Sequence, residues 1–267
     1  MDRTIPAAAF GSLCMLIALT LAVATYKRNT VWEDGTVLWR DTIRKSEGKA
    51  RPHFNYAVSL AAKGELDSAL KENLRTLEIN PLHAKAYFNI GAIYHARGDV
   101  DAAVKKYRTA LALMPDITEA HNNLGYAYYS KGLLYKALEQ YTETLRIDQR
   151  HVKTYINRGD VYSGLGRYED AARDYKTALE YEPSSHKAYY GLGKAQFMLG
   201  NIDAAFRLFS ASVKIDPGFA LGFYGMGLVL ERRGLDKEAR GQYLTALGID
   251  PELRDAKLRL EMLYKGR

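Results

Sequence analysis

Residues 84–115 read AKAYFNIGAIYHARGDVDAAVKKYRTALALMP, and the pattern of apolar residues in this stretch decides the fold. Four of them follow one another at helical spacing: Tyr87, Ile90, Gly91 and Tyr94. Because an α-helix repeats about every 3.6 residues, this spacing brings the four side chains onto one face. The stretch is therefore predicted to begin with a helix that buries a single face.

A second helix is predicted in the other half of the stretch. Gly98 ends the first helix, since the left-handed residue that follows many helices is least strained when it is glycine. Asp99 then caps the second helix with its carboxylate. The apolar stripe of this helix is Ala103, Tyr107, Ala110 and Leu111. Pro115 closes the unit, because proline cannot continue a helix.

The pattern of this hairpin returns every 34 residues along the chain. Glycine keeps one phase at Gly64, Gly98, Gly132, Gly166, Gly200 and Gly234, and alanine another at Ala69, Ala103, Ala137, Ala171, Ala205 and Ala239. Small residues keep a third phase at Ala57, Gly91, Gly125, Gly159, Gly193 and Gly227, where the paired helices are expected to approach closely. A fixed period of this size is typical of a solenoid.

The unit resembles the tetratricopeptide repeat (TPR), whose signature is W-x2-L-G-x2-Y…A-x3-F…P. The leading aromatic slot holds His53, Tyr87, His121, Tyr155, Tyr189 and Phe223, and the late one Asn73, Tyr107, Tyr141, Tyr175, Phe209 and Tyr243. The departures from the signature are Asn73, Gln149 and Gln196. The resemblance implies an all-α, right-handed solenoid of six helix-turn-helix repeats, at 50–83, 84–117, 118–151, 152–185, 186–219 and 220–253.

The amino-terminal part differs in character from the repeats. Residues 4–26 carry no charge, and as a helix they would extend about 34 Å, enough to cross the hydrocarbon core of a bilayer. Two interpretations follow for residues 1–28. They form a membrane anchor, which the length of the apolar run favours, or a signal peptide cleaved after Ala24, where Ala-Val-Ala fits the small-x-small rule.

Two further segments are predicted to cover the ends of the repeat array, since terminal repeats need atypical caps. Residues 29–49 form a juxtamembrane half-repeat, in which Trp39 falls in the late aromatic slot. Residues 254–267 form a carboxy-terminal amphipathic capping helix, with its apolar part at Leu258, Leu260, Met262, Leu263 and Tyr264.

The segment RNTVW…LWRDTIRKS…KARPHFNYA resembles the junction between the last membrane helix and the TPR tail of transmembrane-and-TPR O-mannosyltransferase-like proteins. This resemblance covers residues 7–60 and does not extend to the catalytic membrane helices of that family. It implies a single-pass membrane protein with its repeats on the extracytoplasmic side. The positive-inside rule, applied to Lys27 and Arg28 against Arg3, favours the cytoplasm instead.

Composition and motifs argue against several classes of activity. The net charge of +7 permits an acidic partner or a membrane surface, but no dense Lys/Arg block indicates nucleic-acid binding. Cys14 is the single cysteine, and no two histidines are three or four residues apart, so no metal site is expected. The sequence has no P-loop, G-x-G-x-x-G or G-x-S-x-G motif. It therefore predicts neither a cofactor nor a catalytic residue.

The candidate binding site is the concave groove lined by the first helices. Asparagine recurs there at Asn55, Asn89, Asn123 and Asn157, either as a ladder that holds a peptide backbone or as amides that bond locally. The groove positions also carry Tyr126, Tyr129 and Tyr190 and the cations Lys85, Lys153, Lys187 and Lys194. Six cations against three anions, Glu119, Asp160 and Glu231, predict a neutral-to-acidic peptide as ligand.

Together these features predict a membrane-tethered, non-enzymatic scaffold that mediates protein–protein interaction by binding an extended peptide in its groove. The alternative is an accessory subunit that recruits acceptor proteins to a membrane glycosyltransferase system. Homo-oligomerisation through the groove or the convex face is a further option.

Overall fold

The computed structural model describes residues 35–265, and this part of the chain is built from α-helices joined by short turns, without β-strands. The helices are α1 (Gly35–Lys45), α2 (Ala50–Ala62), α3 (Leu66–Ile79), α4 (Ala84–Ala96), α5 (Val100–Leu113), α6 (Thr118–Ser130), α7 (Leu134–Ile147), α8 (Val152–Gly164), α9 (Tyr168–Tyr181), α10 (His186–Met198), α11 (Ile202–Ile215), α12 (Ala220–Arg232), α13 (Asp236–Ile249) and α14 (Arg254–Lys265). The all-α prediction is confirmed.

The hydrophobic segment 4–26 lies outside the described residues, and so does the choice between an anchor and a signal peptide. No helix within residues 35–265 has the length and apolar character needed to span a membrane.

The chain forms two compact units, which meet in sequence between Pro115 and Asp116. In the first unit α2 packs on α3 and α4 on α5, and α1 covers the outer side of α2. In the second unit the hairpins are α6–α7, α8–α9, α10–α11 and α12–α13, and α14 packs on α13. The first helices α8, α10 and α12 also contact one another in series, so they form a continuous wall within this unit.

The turn inside each hairpin depends on a glycine in the left-handed conformation. Gly64, Gly98, Gly132, Gly166, Gly200 and Gly234 have φ angles between 71° and 81°, as predicted from their 34-residue spacing. The next helix can start at once, and Asp99 is its N-cap in the second repeat: the carboxylate accepts a hydrogen bond of 3.0 Å from the backbone N–H of Ala102. Both sequence predictions for this turn are confirmed.

Within a hairpin, a glycine on the first helix faces a buried ring on the second. A Cβ added to Gly91 would lie 2.7 Å from Cδ1 of Tyr107, and one added to Gly159 would lie 2.8 Å from Cε1 of Tyr175. Such distances are shorter than van der Waals contact, so the two helices can be this close only because the side chain is missing. The expected close approach at these small residues is confirmed.

The same rings hold neighbouring hairpins together in the second unit. A Cβ on Gly191 would overlap the ring of Tyr175, and one on Gly225 would lie 2.6 Å from Cδ1 of Phe209. Each ring is therefore enclosed by a glycine of its own hairpin and a glycine of the next. At these two positions of the groove, glycine stands where the earlier repeats have asparagine.

The first repeat replaces the glycine and the ring together. At the corresponding positions it has Ala57 and Asn73, and both are completely buried. Asn73 Nδ2 donates a hydrogen bond of 2.9 Å to the carbonyl of Ala69. The smaller amide is therefore found where the facing residue carries a Cβ.

Capping helices are present at both ends of the described chain. In α1, Thr36 is buried and accepts a hydrogen bond of 2.9 Å from Lys63 Nζ. In α14, Leu260 and Leu263 pack against a cluster that contains the buried Tyr243. The remaining apolar residues of α14 are more than half exposed: Leu258, Met262 and Tyr264. The apolar part of α14 thus divides into a packed face and a solvent-facing one.

Candidate functional site

The predicted site residues lie on the first helices of their hairpins, distributed over α2, α4, α6, α8 and α10. All four lysines are exposed: Lys85, Lys153, Lys187 and Lys194. Tyr126 and Tyr129 are 47% and 37% exposed, whereas Tyr190 is half-buried. Asn55 and Asn89 belong to the first unit, and the other predicted site residues except Lys85 belong to the second.

In the second unit, the predicted asparagines bond to one another through a residue outside the ladder. Asn157 Nδ2 donates a hydrogen bond of 3.2 Å to Asn122 Oδ1, and Asn122 Nδ2 donates one of 3.3 Å to Asn123 Oδ1. Thr154 Oγ1 adds a donor to Asn122 Oδ1 at 2.9 Å. Asn157 thus uses its Nδ2 for the contact between α6 and α8, and Asn123 uses its Oδ1 for a bond within α6. The second polar atom of each lies outside this network.

The asparagines of the first unit have different surroundings. Asn55 and Asn89 are both half-buried. Asn89 lines a small cavity of about 180 Å³ together with Val58 and Ala92. This cavity is too small for more than one side chain of a ligand.

A larger cavity, of about 570 Å³, opens on the first-helix wall of the second unit. Side chains of α10, α11, α12 and α14 line it, and its aromatic members are Tyr190, Phe197, Phe209 and Tyr224. Three residues of this lining were assigned to the groove by the sequence analysis: Tyr190, Lys194 and Glu231. Gly225 forms part of the cavity floor, and the ring of Phe209 occupies the space that a side chain at position 225 would need.

Two tyrosines of this cavity are held from behind by buried rings. The Tyr190 ring centroid lies 5.6 Å from that of Phe209, and the Tyr224 centroid lies 5.8 Å from that of Tyr243. Burial, with a smaller effect of Tyr224 and of the acids Asp160 and Asp255, raises the pKa of Tyr190 to about 12. Its hydroxyl therefore stays protonated at neutral pH and can both donate and accept a hydrogen bond.

Five charged side chains line the cavity, and one of them is the exposed Asp255 in the first turn of α14. Glu231 accepts a hydrogen bond of 2.6 Å from the Tyr243 hydroxyl and pairs with Arg259 Nη1 at 3.0 Å, so these two charges offset each other. Lys194 and Arg232 are exposed and form no ion pair with any residue between 35 and 265. Three cations against two anions, Glu231 and Asp255, leave the cavity lining with a net charge of +1, and Lys194 and Arg232 are its cations without an ion pair.

Asp160 is a functional candidate that the sequence analysis counted only as a charge. Its Oδ1 accepts a hydrogen bond of 2.6 Å from the Tyr175 hydroxyl. Burial raises the pKa of Asp160, while the Tyr175 hydrogen bond and the charges of Lys194 and Lys187 act in the opposite direction. In the sequence, Asp160 is an acid at a groove position, and the same position one repeat later is Lys194. Lys187 follows Asp160 by 27 residues. This pairing of an acid with two lysines is the sequence signal that could have identified Asp160.

The described part of the chain offers no site for metal chemistry. No group of His, Cys, Asp and Glu side chains in residues 35–265 is arranged to hold a metal ion. The chemistry that this wall offers is non-covalent: aromatic faces, amide and hydroxyl groups, and exposed cations beside a cavity.

Comparisons with known protein families identify repeats of one kind. Profiles described as tetratricopeptide repeat or TPR repeat match residues 73–105, 91–132, 118–151 and 156–220. No curated protein matches the sequence.

Several solved structures have a similar fold. YrrB, described as a TPR protein with an unusual peptide-binding site, has a TM-score of 0.60 at 20% identity over 69% of this chain and 95% of its own. In the APC/C hetero-tetramer Cut9-Hcn1 the matched chain has a TM-score of 0.73 at 18% identity, covering 85% of this chain and 45% of that one. MamA from Desulfovibrio magneticus has a TM-score of 0.58 at 19% identity, covering 64% and 96%. At these identities the likeness concerns the fold.

Proposed function

We propose that this tetratricopeptide-repeat protein is an interaction scaffold whose second unit binds a segment of a partner protein. The binding surface is the wall of the first helices α8, α10 and α12, extended by the capping helix α14. The cavity of about 570 Å³ lies at its centre. The proposal rests mainly on this cavity, because its volume lies in the range found for cavities that bind specific ligands.

The character of the cavity lining supports a polypeptide ligand. Tyr190, Phe197 and Tyr224 provide aromatic surface, and aromatic residues are the commonest anchors in protein interfaces. On the wall, tyrosine hydroxyls and Oδ1 of Asn157, which lies outside the asparagine network, can bond to a peptide backbone. A peptide therefore finds apolar and polar partners on the same surface.

Two structural neighbours agree with this proposal. YrrB is described as having a peptide-binding site, and the other matched chain belongs to the APC/C hetero-tetramer Cut9-Hcn1. Both descriptions concern proteins of the same fold that bind other polypeptides, which is why we extend this kind of function to the present chain.

Site-specific photocrosslinking tests the proposed surface. A photoreactive amino acid replaces Leu228, which lines the cavity, or Leu244, which is 51% exposed on α13 and outside the cavity. The full chain is then crosslinked in its native cells, and the attached peptides are mapped by mass spectrometry. We expect adducts from position 228 to map to one contiguous segment of a partner, and none of that segment from position 244. Equal labelling from both positions would refute the assignment of the wall as the binding surface.

We also propose that residues 4–26 tether the scaffold to a membrane, with the repeats on the extracytoplasmic side. The proposal rests on the uncharged composition of this segment and on the resemblance of residues 7–60. Alkaline extraction of membranes should leave the full chain in the pellet and release a Leu16→Arg/Leu19→Arg variant. If the intact mass shows a mature protein that begins at Thr25, the segment is a signal peptide and not an anchor. If an added protease digests the repeats only once it can reach the cytoplasm, the repeats lie on the cytoplasmic side.

A further inference from the structure

We propose that the cavity of the second unit selects acidic segments: a large apolar side chain enters between Tyr190 and Tyr224, and carboxylates of flanking Asp or Glu residues bind Lys194 and Arg232. This inference rests on the proposed function and specifies the chemistry of its ligand. The partner is an internal stretch of a protein chain with acidic residues around one apolar anchor.

The apolar part of the ligand follows from the rigidity of the two tyrosines. Each of them packs against a buried ring, Phe209 behind Tyr190 and Tyr243 behind Tyr224. Tyr190 also packs at 5.4 Å against Phe219, with an angle of 81° between the rings. Side chains that are already held in place lose little conformational entropy when a ligand binds. An apolar anchor therefore meets a preformed slot.

The acidic part of the ligand follows from which charges already have partners. The two anions that border the wall without an ion pair are both stabilised by the fold. Asp160 accepts the Tyr175 hydrogen bond, and Asp255 lies in the first turn of α14, where the helix dipole favours a negative charge. Glu231 is bound by Arg259 and Tyr243.

The cations of the wall form no such bonds, although the charges of Lys194 and Lys187 act on the Asp160 carboxyl. Lys194 and Arg232 at the cavity, and Lys187 about two helical turns before Lys194, are exposed and form no ion pair within residues 35–265. An unpaired cation beside an aromatic slot attracts carboxylates and penalises a basic ligand through like-charge repulsion. The fold thus leaves the positive charges for the ligand to neutralise.

The wall continues beyond the cavity on both sides, which favours an internal segment over a chain terminus. On one side lie Lys187 and Asp160, and on the other side α14 continues past Asp255 and Arg259, which line the cavity. A ligand can therefore enter the wall along α8 and leave it along α14, so its carboxylates are supplied by side chains.

Four labelled peptides test the selectivity by fluorescence anisotropy with the full-length protein. The first has one phenylalanine among aspartates and has both ends blocked; the second replaces the aspartates with lysines; the third replaces the phenylalanine with alanine; the fourth is neutral, with phenylalanine and a free terminal carboxylate. We expect the first to bind tightest, with affinity that falls as salt rises, and each of the others to bind at least about tenfold more weakly. Equal binding of the lysine peptide, or tighter binding of the fourth, overturns the proposal.

Charge variants of the protein provide the second arm. Lys194→Gln and Arg232→Gln should each weaken binding of the acidic peptide about threefold or more, and Asp160→Asn should strengthen it by removing repulsion. Lys176→Gln, at an exposed position of α9 outside the cavity, is the matched control and should have no effect. If Lys194→Gln and Lys176→Gln behave alike, the carboxylates bind elsewhere and the proposal fails.

If a non-acidic peptide binds and Met198→Glu abolishes that binding, the proposed function stands and only the acidic selectivity is refuted.

Discussion

The hydroxyl of Tyr175 donates a hydrogen bond of 2.6 Å to Oδ1 of Asp160, from the second helix of a hairpin to the first. Tyr141 occupies the same slot one repeat earlier, and its equally buried hydroxyl has no hydrogen-bond partner within residues 35–265. Two tyrosines in equivalent positions thus differ in one interaction. This difference separates the contribution of the ring from that of the hydroxyl.

The two tyrosines should respond differently to loss of the hydroxyl. Tyr175→Phe removes a hydrogen bond to a carboxylate and should lower the free energy of unfolding by about 1.5–3 kcal/mol. Tyr141→Phe removes a buried polar group without a partner and should leave the free energy unchanged or raise it slightly. Urea unfolding of both variants checks this, and equal losses would mean that the Asp160 contact contributes nothing specific.

The raised pKa of Asp160 predicts a pH dependence of stability. Folding favours the protonated carboxyl, because burial raises the pKa above the ordinary aspartate value of 3.8. The stabilising contribution of this group is therefore fully present below that value and is lost as pH rises through the folded-state pKa. Tyr129, Tyr175, Lys187 and Lys194 face the same carboxyl and set how far the pKa is shifted.

Asp160→Asn tests this sign. The amide oxygen still accepts the Tyr175 hydrogen bond, but no charge has to be desolvated. The variant should be more stable than the natural protein at neutral pH, by less than about 1 kcal/mol because solvent reaches the carboxylate, and the difference should vanish in acid. Unfolding measured from acidic to neutral pH checks this; a variant that loses stability at neutral pH would show that the ionised carboxylate is stabilising.

A glycine of the hairpin turn and a helix glycine with free space around it should respond oppositely to replacement by alanine. Gly98 has a φ of +80° and nothing within 4 Å of an added Cβ, so Gly98→Ala introduces backbone strain alone, about 1–2 kcal/mol. Gly241 lies inside α13, also with free space, and Gly241→Ala should stabilise by about 0.5–1 kcal/mol. Thermal melts of the two variants provide the comparison. A stabilising effect of Gly98→Ala would contradict the role assigned to the left-handed turn.

Much of the fold follows from the 34-residue period, because a repeated sequence places equivalent residues in equivalent contacts. Gly91 and Tyr107 illustrate this: their phases predict both the close helix approach and the ring that fills it. The turn glycines and the Asp99 cap follow from local backbone chemistry, which does not depend on distant parts of the chain.

The details of the site depend on contacts that the period does not encode. Asn122 is outside the asparagine ladder, yet it binds Asn157 from a position 35 residues away. Glu231 and Arg259 are separated by 28 residues and belong to the last repeat and the capping helix, where the period ends. The sequence therefore predicts which surface faces a ligand, but not which charges on it are already neutralised by neighbours.

The central claim is that the cavity of the second unit binds a peptide. The most direct test compares a negative charge introduced inside the cavity with one introduced outside it. Met198 lines the cavity and is 49% exposed, and Leu244 on α13 is 51% exposed, so a glutamate should be tolerated equally at both positions. Peptides selected from a random library against the full chain are titrated calorimetrically into the Met198→Glu and Leu244→Glu variants. The account predicts that Met198→Glu weakens binding at least about tenfold while Leu244→Glu leaves it unchanged, with equal melting temperatures. Unchanged binding to Met198→Glu, or loss of binding only in Leu244→Glu, would contradict it.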